Sequence, residues 1–558
     1  MWVFMQTLAK IGLNVGEADN RIFANLHHKF FDSQIHQFTN DVCSQSSVVY
    51  RPKLLPSRIF SKQMKYDVAI IGSGLGGLQC AYILARKGLN VCVLEKNAVV
   101  GGCLQTFRRG QSEFDTGFHY VGGLDDGQPL NAIFRYFNLM GLPWHRLDND
   151  AFDEVRIGGQ SYFFANGYQH FADTLAAPFP HQRDNLNRYV AMLKRVGDGL
   201  KDSFRPRTDT DVFSTSLFTR SAYEFLCETI TDPLLRNVVS GTSLKMELSK
   251  QTLPLYVFAQ INSSFIQSAW RLNGGGQLIA DELVNSIRQM GGTVLTNAEV
   301  TELVEYDGRL SYAVLANGEH VEAEWFISDA HPAATLDLIK ESTQVRKIYR
   351  RRIGSLQNTF GMFTVNVALK SGAVQYLNRN QYVYRTADVW NLSDYQPEQP
   401  IGGILLSYRA AADGKSAANV DILTPMYWPE VERWADTQVG RRGAEYQQFK
   451  EQKAQECIAL AEEVIPGFGA AIDRQFSSTP LTYMNYTATA QGAAYGIRKD
   501  YNNPMLTLLT PRTPVPNLLL TGQNLNLHGI LGVSMSSFFT CAEILGMEAA
   551  TNGLNFED

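Results

Sequence analysis

Hydrophobic positions along the chain follow two rhythms. From Tyr66, Asp67-Val68-Ala69-Ile70-Ile71 is a short unbroken apolar run, the pattern of a strand buried on both faces. Leu75 to Lys87 has helical spacing, and Asn90-Val91-Cys92-Val93-Leu94-Glu95 is a second buried strand. A strand, a helix and a strand within about thirty residues is the size of a βαβ crossover. The second rhythm begins further on. Leu186, Tyr189, Val190, Leu193, Val196 and Leu200 form one apolar face of a helix over Asp184 to Leu200, and an aromatic-rich helical stretch continues to Trp270. At Gly274 the first rhythm returns. A helix is predicted over Leu278 to Met290, then strands around Val294, Val300, Leu303 and Val314. Residues 345–475 are mixed, with a strand over Phe360 to Leu369 and a helix over Glu445 to Val464. The chain closes on a strand at Leu518-Leu519-Leu520, a Gly-bearing turn and a final helix.

This alternation predicts an α/β fold. A nucleotide-binding domain is assembled from 64–135, 270–345 and 475–558, and a mixed-sheet and helical domain is inserted as 136–269 and 346–474. Residues 1–63 show no sustained periodicity and no signal-peptide pattern. Met64 stands just ahead of the first core strand. The expectation is that translation begins there and that 1–63 is an upstream extension or mobile leader; a genuine helical appendage is the competing reading.

Composition excludes several classes. The 558 residues are 45% hydrophobic and 19% charged, a globular balance. The formal net charge of −5 lacks the basic excess of a nucleic-acid binder. Seven scattered cysteines without a Cys-x-x-Cys pair argue against a disulfide framework or a structural zinc, and fit a reducing, cytoplasmic compartment. Val515 to Ala542 and Thr252 to Trp270 carry no Lys, Arg, Asp or Glu. Gln523, Asn524, Asn526 and His528 interrupt the first, and Gln260, Asn262 and Gln267 the second, so both read as protein segments rather than membrane spans. Peripheral membrane contact stays open.

The sharpest motif is Gly72-Ser73-Gly74-Leu75-Gly76-Gly77, between the first strand and its helix. Gly72, Gly74 and Gly77 fill G-x-G-x-x-G: the first permits the tight turn, the second lets backbone approach a pyrophosphate, and the third lets helix and strand pack closely. The helix N-terminus favours negative charge. Glu95 ends the next strand, where a carboxylate accepts hydrogen bonds from ribose hydroxyls. Gly414-Lys415-Ser416 imitates the end of a phosphate loop, but Arg409 stands where that loop needs Gly. Gly532-Val533-Ser534-Met535-Ser536 lacks the last Gly of a nucleophile elbow. No second convincing G-x-G-x-x-G is present, so NADH or NADPH, if used, would visit transiently.

With Glu95-Lys96, Gly101-Gly102 and Phe114-Asp115-Thr116-Gly117-Phe118-His119 added, the chain resembles the FAD-dependent amine oxidase and phytoene desaturase superfamily from about Lys65 to Asn552. The resemblance implies FAD in a glutathione-reductase-type Rossmann-like domain. It is held by Gly72, Ser73, Gly74, Leu75, Gly76, Gly77, Glu95, Lys96, Gly101 and Gly102, with Val300 beside the adenine. Leu272-Asn273-Gly274-Gly275-Gly276-Gln277 resembles the family's second Gly-rich turn. Thr521-Gly522-Gln523 and His528-Gly529-Ile530-Leu531-Gly532 resemble its C-terminal flavin motif, which adds Gly522, Gln523, Gly529, Ile530 and Gly532. A helix N-terminus there stabilises reduced flavin, which is anionic at its N1–C2=O edge. Cys541 lies past the turn where amine oxidases attach flavin covalently.

The Thr521 to Gly529 wording, and Tyr486-Thr487 with Gly492-Ala493-Ala494-Tyr495-Gly496, are most similar to the branch of retinol saturases (all-trans-retinol 13,14-reductases), phytoene desaturases and carotenoid isomerases. This implies an FAD-dependent oxidoreductase that moves hydride between flavin N5 and a C–C bond of a long apolar polyene, a retinoid or carotenoid, with saturation favoured over desaturation. A flavin-dependent cis-trans isomerase is the alternative, and a non-catalytic lipid-binding escort a more distant one. The expected partner is an apolar small-molecule lipid. His528, Tyr486 and Tyr495 are the candidate proton donors, with His119 and Tyr120 behind them; the competing readings are a structural His528 that orients the turn, tyrosines that wall a tunnel, and a His119 bonded to flavin or backbone.

Overall fold

The structure is a computed structural model that describes residues 64–204, 216–394 and 399–556. The expected leader, 1–63, lies outside the described residues. Met64–Ile71 is a strand whose last four residues are buried, as an apolar run flanked on both sides requires. Val91–Leu94 and His320–Ser328 flank it, both parallel to it. Thr293–Leu295 and Leu518–Leu520 extend the sheet outward, again in parallel. Val300–Tyr306 and Arg309–Leu315 complete it as an antiparallel meander ending on His320–Ser328. Three separated stretches of sequence therefore build one sheet, which parallel pairing demands because each step needs a crossover. Gln277–Gln289 and Gly529–Leu545 both pack on the helix Leu75–Arg86.

The second sheet has seven strands, running from Ile472–Ser478 at one edge to Gln160–Phe164 at the other. Its pairings are antiparallel except one: Asn380–Tyr384 runs parallel to Asp153–Ile157 and so joins the two inserted stretches. Ile472–Ser478 crosses the expected boundary at 475 and pairs with Gly361–Leu369, so this sheet takes a few residues more than the apolar pattern assigned. The helix Arg183–Asp198 buries Leu186, Tyr189, Val190, Leu193 and Val196, the stripe its spacing predicts. Helix Ala444–Ala461 covers the sheet's other face. The uncharged stretch after Thr252 forms the deeply buried helix Leu255–Gln267. Among the described residues no helix is long and apolar enough to cross a membrane. Gly414-Lys415-Ser416 sits in the turn between Gly403–Ala410 and Ala417–Met426, where Asp413 accepts the N–H groups of Lys415 and Ser416.

Candidate functional site

The C-terminal ends of the central parallel strands meet the second sheet around a cavity of about 510 Å³. This is where open α/β sheets bind ligands. At its dinucleotide end, Gly72 turns the chain with φ of +94°. A Cβ on Gly77 would lie 2.2 Å from the Gly72 carbonyl oxygen, so only glycine lets helix and strand approach this closely. Ser73 is fully buried. Its N–H and Oγ–H donate to one Glu95 oxygen at 3.0 and 2.6 Å, and the Asn97 N–H donates to the other at 2.8 Å. Those three donors fix the carboxylate at the cavity wall. The Ser73 carbonyl accepts from Gly101 N–H at 2.9 Å, tying the Gly101-Gly102 pair to the same loop.

Asp329 follows the strand His320–Ser328 and reaches into this loop. Its carboxylate oxygens lie 2.3, 2.4 and 2.4 Å from where Cβ atoms on Gly74, Gly76 and Gly522 would stand. These glycines thus make room for a carboxyl group as well as for a ligand. Burial, with the nearby Glu95 charge, pushes Asp329 up to about 7 against the Gly77 N–H that lowers it. A carboxyl that is neutral up to that pH can sit beside a pyrophosphate with little repulsion.

Two helices start at the cavity, Leu75–Arg86 and Gly529–Leu545. Neither has a side-chain cap or an acidic residue in its first turn. The N-terminus at Gly529 is therefore free for an anionic group, which fits the anionic edge of a reduced flavin; at Leu75 the Gly77 N–H already meets the Asp329 carboxyl, and the turn's other N–H groups fit the phosphates of a dinucleotide. Val300 and Glu299 line the far edge. Lys96 Nζ donates to the Asn485 carbonyl at 2.8 Å, and Asn97 Nδ2 to that of Tyr486 at 2.9 Å, which pins the helix Pro480–Thr487 beside them.

The other end of the cavity is apolar, walled by Leu244, Ile261, Phe265, Leu405, Leu423 and Leu527. Here the Tyr495 and His528 rings lie 4.5 Å apart. The Tyr495 hydroxyl donates to the Leu244 carbonyl, and His528 Nε2 lies 3.0 Å from that of Lys245. A carbonyl partner requires the proton on Nε2. Burial holds His528 down at about 4, so the ring is neutral at pH 7, and burial pushes the Tyr495 hydroxyl up. Both groups donate to consecutive carbonyls of the short 3₁₀ turn Ser243–Lys245 and so hold Lys245 at the cavity wall. Lys499 Nζ donates to the carbonyls of Thr507, Asn524 and Leu525 at 2.8–2.9 Å, fixing the turn ahead of His528.

Lys245 Nζ lies 4.0 Å from the centre of the Phe265 ring and 3.7 Å from Asp153 Oδ2. Asp153 is fully buried and accepts from the Tyr120 hydroxyl at 2.8 Å and from Asn380 Nδ2 at 2.9 Å. Tyr382 is 2.6 Å from the Tyr120 hydroxyl. Burial lowers Lys245 and raises Asp153, each opposed by the charge of the other. His119 also lines the cavity, and its buried Nε2 has no protein partner. Burial draws its pKa down to about 4.

The structure gathers Gly72, Ser73, Gly74, Leu75, Gly76, Glu95, Lys96, Gly101, Gly102, Val300, Gln523, Gly529 and Ile530 around this one cavity, with His119, Tyr120, Tyr495 and His528. Gly77, Gly522 and Gly532 stand behind the wall; a Cβ on Gly532 would lie 2.3 Å from the Leu527 carbonyl oxygen. Tyr486 touches the cavity but is 50% exposed, at its rim. Sequence reasoning did not single out Asp329, Asp153, Lys245 or Gln260 as site residues. Asp329 alone carried a local signal, an acidic residue directly after a buried strand.

A family model described as an NAD(P)-binding Rossmann-like domain matches residues 70–137. An all-trans-retinol 13,14-reductase of Danio rerio is 28% identical over 540 residues, 86% of each chain. A chloroplastic prolycopene isomerase of an Oncidium hybrid cultivar is 22% identical over 550 residues, covering 92% of this chain and 91% of its own. A solved structure of putrescine oxidase, 14% identical, superposes with a TM-score of 0.59 over 87% of this chain and 99% of that one, so the two share a fold. The family expected from the motifs is thus supported by homologues that span nearly the whole chain.

Proposed function

We propose that the chain is an FAD-dependent oxidoreductase that reduces a C=C bond of a long apolar polyene of the retinoid or carotenoid type. The observation that carries this is one cavity running from the Gly72 loop, past the uncapped helix N-terminus at Gly529, into an apolar compartment. When bound, a flavin supplies the hydride-transferring centre. The Gly72 to Gly77 loop and Glu95 bind and orient the dinucleotide, and the N–H groups at Gly529 to Leu531 favour negative charge at the ring. The apolar walls position the polyene and exclude water. His528 and Tyr495 act as positioning residues through the carbonyls they bind.

The test is a single turnover. The protein with its flavin is reduced anaerobically, freed of excess reductant and mixed with a polyene. A product two hydrogens heavier, with the yellow band restored, supports reduction. An isomer of unchanged mass, with the band still bleached, replaces it with the second reading, cis-trans isomerisation, which the prolycopene isomerase likeness favours. Bleaching by NADH or NADPH in the same apparatus identifies the electron donor.

A further inference from the structure

We infer that His119 gives the proton that completes reduction of the C=C bond, and that Asp421 acts through it, as a positioning residue and the source of the next proton. The inference rests on the polyene-reduction reading and adds the acid which that reaction needs.

His119 stands where the two ends of the cavity meet. Gly117, two residues before it, packs on the dinucleotide end, where a Cβ would lie 3.3 Å from the carbonyl oxygen of Cys103, directly after the Gly101-Gly102 pair. Tyr120, one residue after it, holds its ring 4.5 Å from that of Phe265 in the apolar wall. His119 lines the cavity between them, and its Nε2 is buried without a hydrogen-bond partner. Buried polar atoms without a partner are few in folded proteins, and a role in chemistry is one reason to keep one.

Asp421 stands behind the ring. Its Oδ2 is 3.9 Å from His119 Nδ1, and its Oδ1 accepts from Asn366 Nδ2 at 2.6 Å. It shares a strand face with Leu423 of the apolar wall, two residues along. Burial, with the Asp115 charge, raises the Asp421 carboxyl to about 7, while Asn366, Arg409 and Arg271 oppose the rise. Asp115, Arg271 and Arg409 also face His119, and Tyr483 stands beside Asp421. Below pH 7 the carboxyl keeps its proton on Oδ2, the oxygen that Asn366 leaves free. An Nδ1 that accepts this proton places the ring's own proton on Nε2, facing the cavity. The gap closes to a hydrogen bond with a movement of about 1 Å, of the kind that follows substrate binding.

Reducing a C=C bond adds a hydride, which the flavin supplies, to one carbon and a proton to the other. The electron pair left on the second carbon takes the Nε2 proton. As that N–H bond breaks, the Asp421 proton passes to Nδ1. The imidazole stays neutral, and the carboxylate that forms is faced by Arg271 and Arg409. Solvent returns the proton between turnovers. The other donors on the wall are committed: His528 and Tyr495 hold carbonyls, and a proton lost from Lys245 would leave the buried Asp153 carboxylate uncompensated.

The test uses the full chain with its flavin. In single turnovers the native protein should restore the yellow band fastest near pH 6 and about tenfold more slowly at pH 8, as Asp421 ionises. His119→Gln should slow restoration about a hundredfold while keeping flavin content and polyene binding. Asp421→Asn can still donate to Nδ1 but has no proton to transfer, so it should be about tenfold slower and independent of pH. Nitrogen-15 spectra of the resting oxidised protein supply a readout apart from turnover, with the His119 signal assigned by its loss in His119→Gln. Its proton is expected on Nε2, with a small shift centred near pH 7 that is absent from Asp421→Asn. A His119→Gln rate within about twofold of native overturns the step while leaving the polyene reading intact. So does a proton found on Nδ1, or a pH dependence that survives in Asp421→Asn. A native protein that returns only an isomer overturns the reduction reading and this step with it.

Discussion

The two ends of the cavity are built by different means. At the dinucleotide end the chain presents mainly backbone: a glycine loop, two helix N-termini without a capping side chain at their N-cap residue, and a carboxylate held by Asn97 and by Ser73 of the loop. At the apolar end it presents side chains from distant stretches, with Asp153 and Tyr382 on adjacent strands of one sheet and Lys245 and Gln260 from the helical insertion. A site made of backbone needs particular residues at fixed local spacing. A site made of side chains needs only that the fold bring them together.

That contrast can be broken experimentally, and the largest effect should come from the backbone-built end. Gly77→Ala sets a methyl group 2.2 Å from a backbone oxygen that has no rotamer to yield. Flavin content should fall to near zero and urea unfolding should show a loss of about 2–3 kcal/mol. Next, Asp329→Asn should change how flavin binding depends on pH. With its carboxyl raised to about 7, the native protein is neutral there below that value and ionises beside Glu95 as pH rises through it. Flavin affinity should therefore drop about tenfold between pH 6 and 8 in the native protein and stay flat in the variant. The stability linked to Asp329 has the same sign. It is present below the unfolded carboxyl's pKa and is lost as pH rises toward 7.

At the apolar end, His528→Ala should retain flavin but slow turnover about tenfold, by loosening the Ser243–Lys245 turn. Its imidazole is held neutral down to about 4, so the pH–rate profile should keep its shape near neutrality. A limb that disappears there would make His528 a proton donor after all. Tyr486→Phe, at the exposed rim, should change turnover by no more than about twofold.

The legibility of the sequence follows the same division. Met64–Ile71, Leu75–Arg86 and Val91–Leu94 were readable because each apolar run encodes its own burial, and Gly72, Gly74, Gly77 and Glu95 because a phosphate turn fixes their spacing. The cavity that joins Val300 to Gly529 was readable only through family resemblance, since three separated stretches supply its sheet. Lys245 and Asp153 had no local signal. The pairing of Asp153–Ile157 with Asn380–Tyr384 buries Asp153, and Lys245 reaches it from the separate turn Ser243–Lys245, so only the fold brings them together. Tyr495 and His528 drew notice for their chemistry, and the fold adds their partners, the Leu244 and Lys245 carbonyls, which no local pattern names.

The central claim is that flavin and polyene occupy one continuous cavity, and a spectral titration tests it most directly. A polyene alcohol would be added to the oxidised, flavin-loaded protein under anaerobic conditions while the flavin's visible band is recorded. The account predicts a saturable shift of that band at one polyene per flavin, because the apolar compartment opens onto the helix N-terminus at Gly529. Saturable polyene binding that leaves the flavin band unmoved would contradict it.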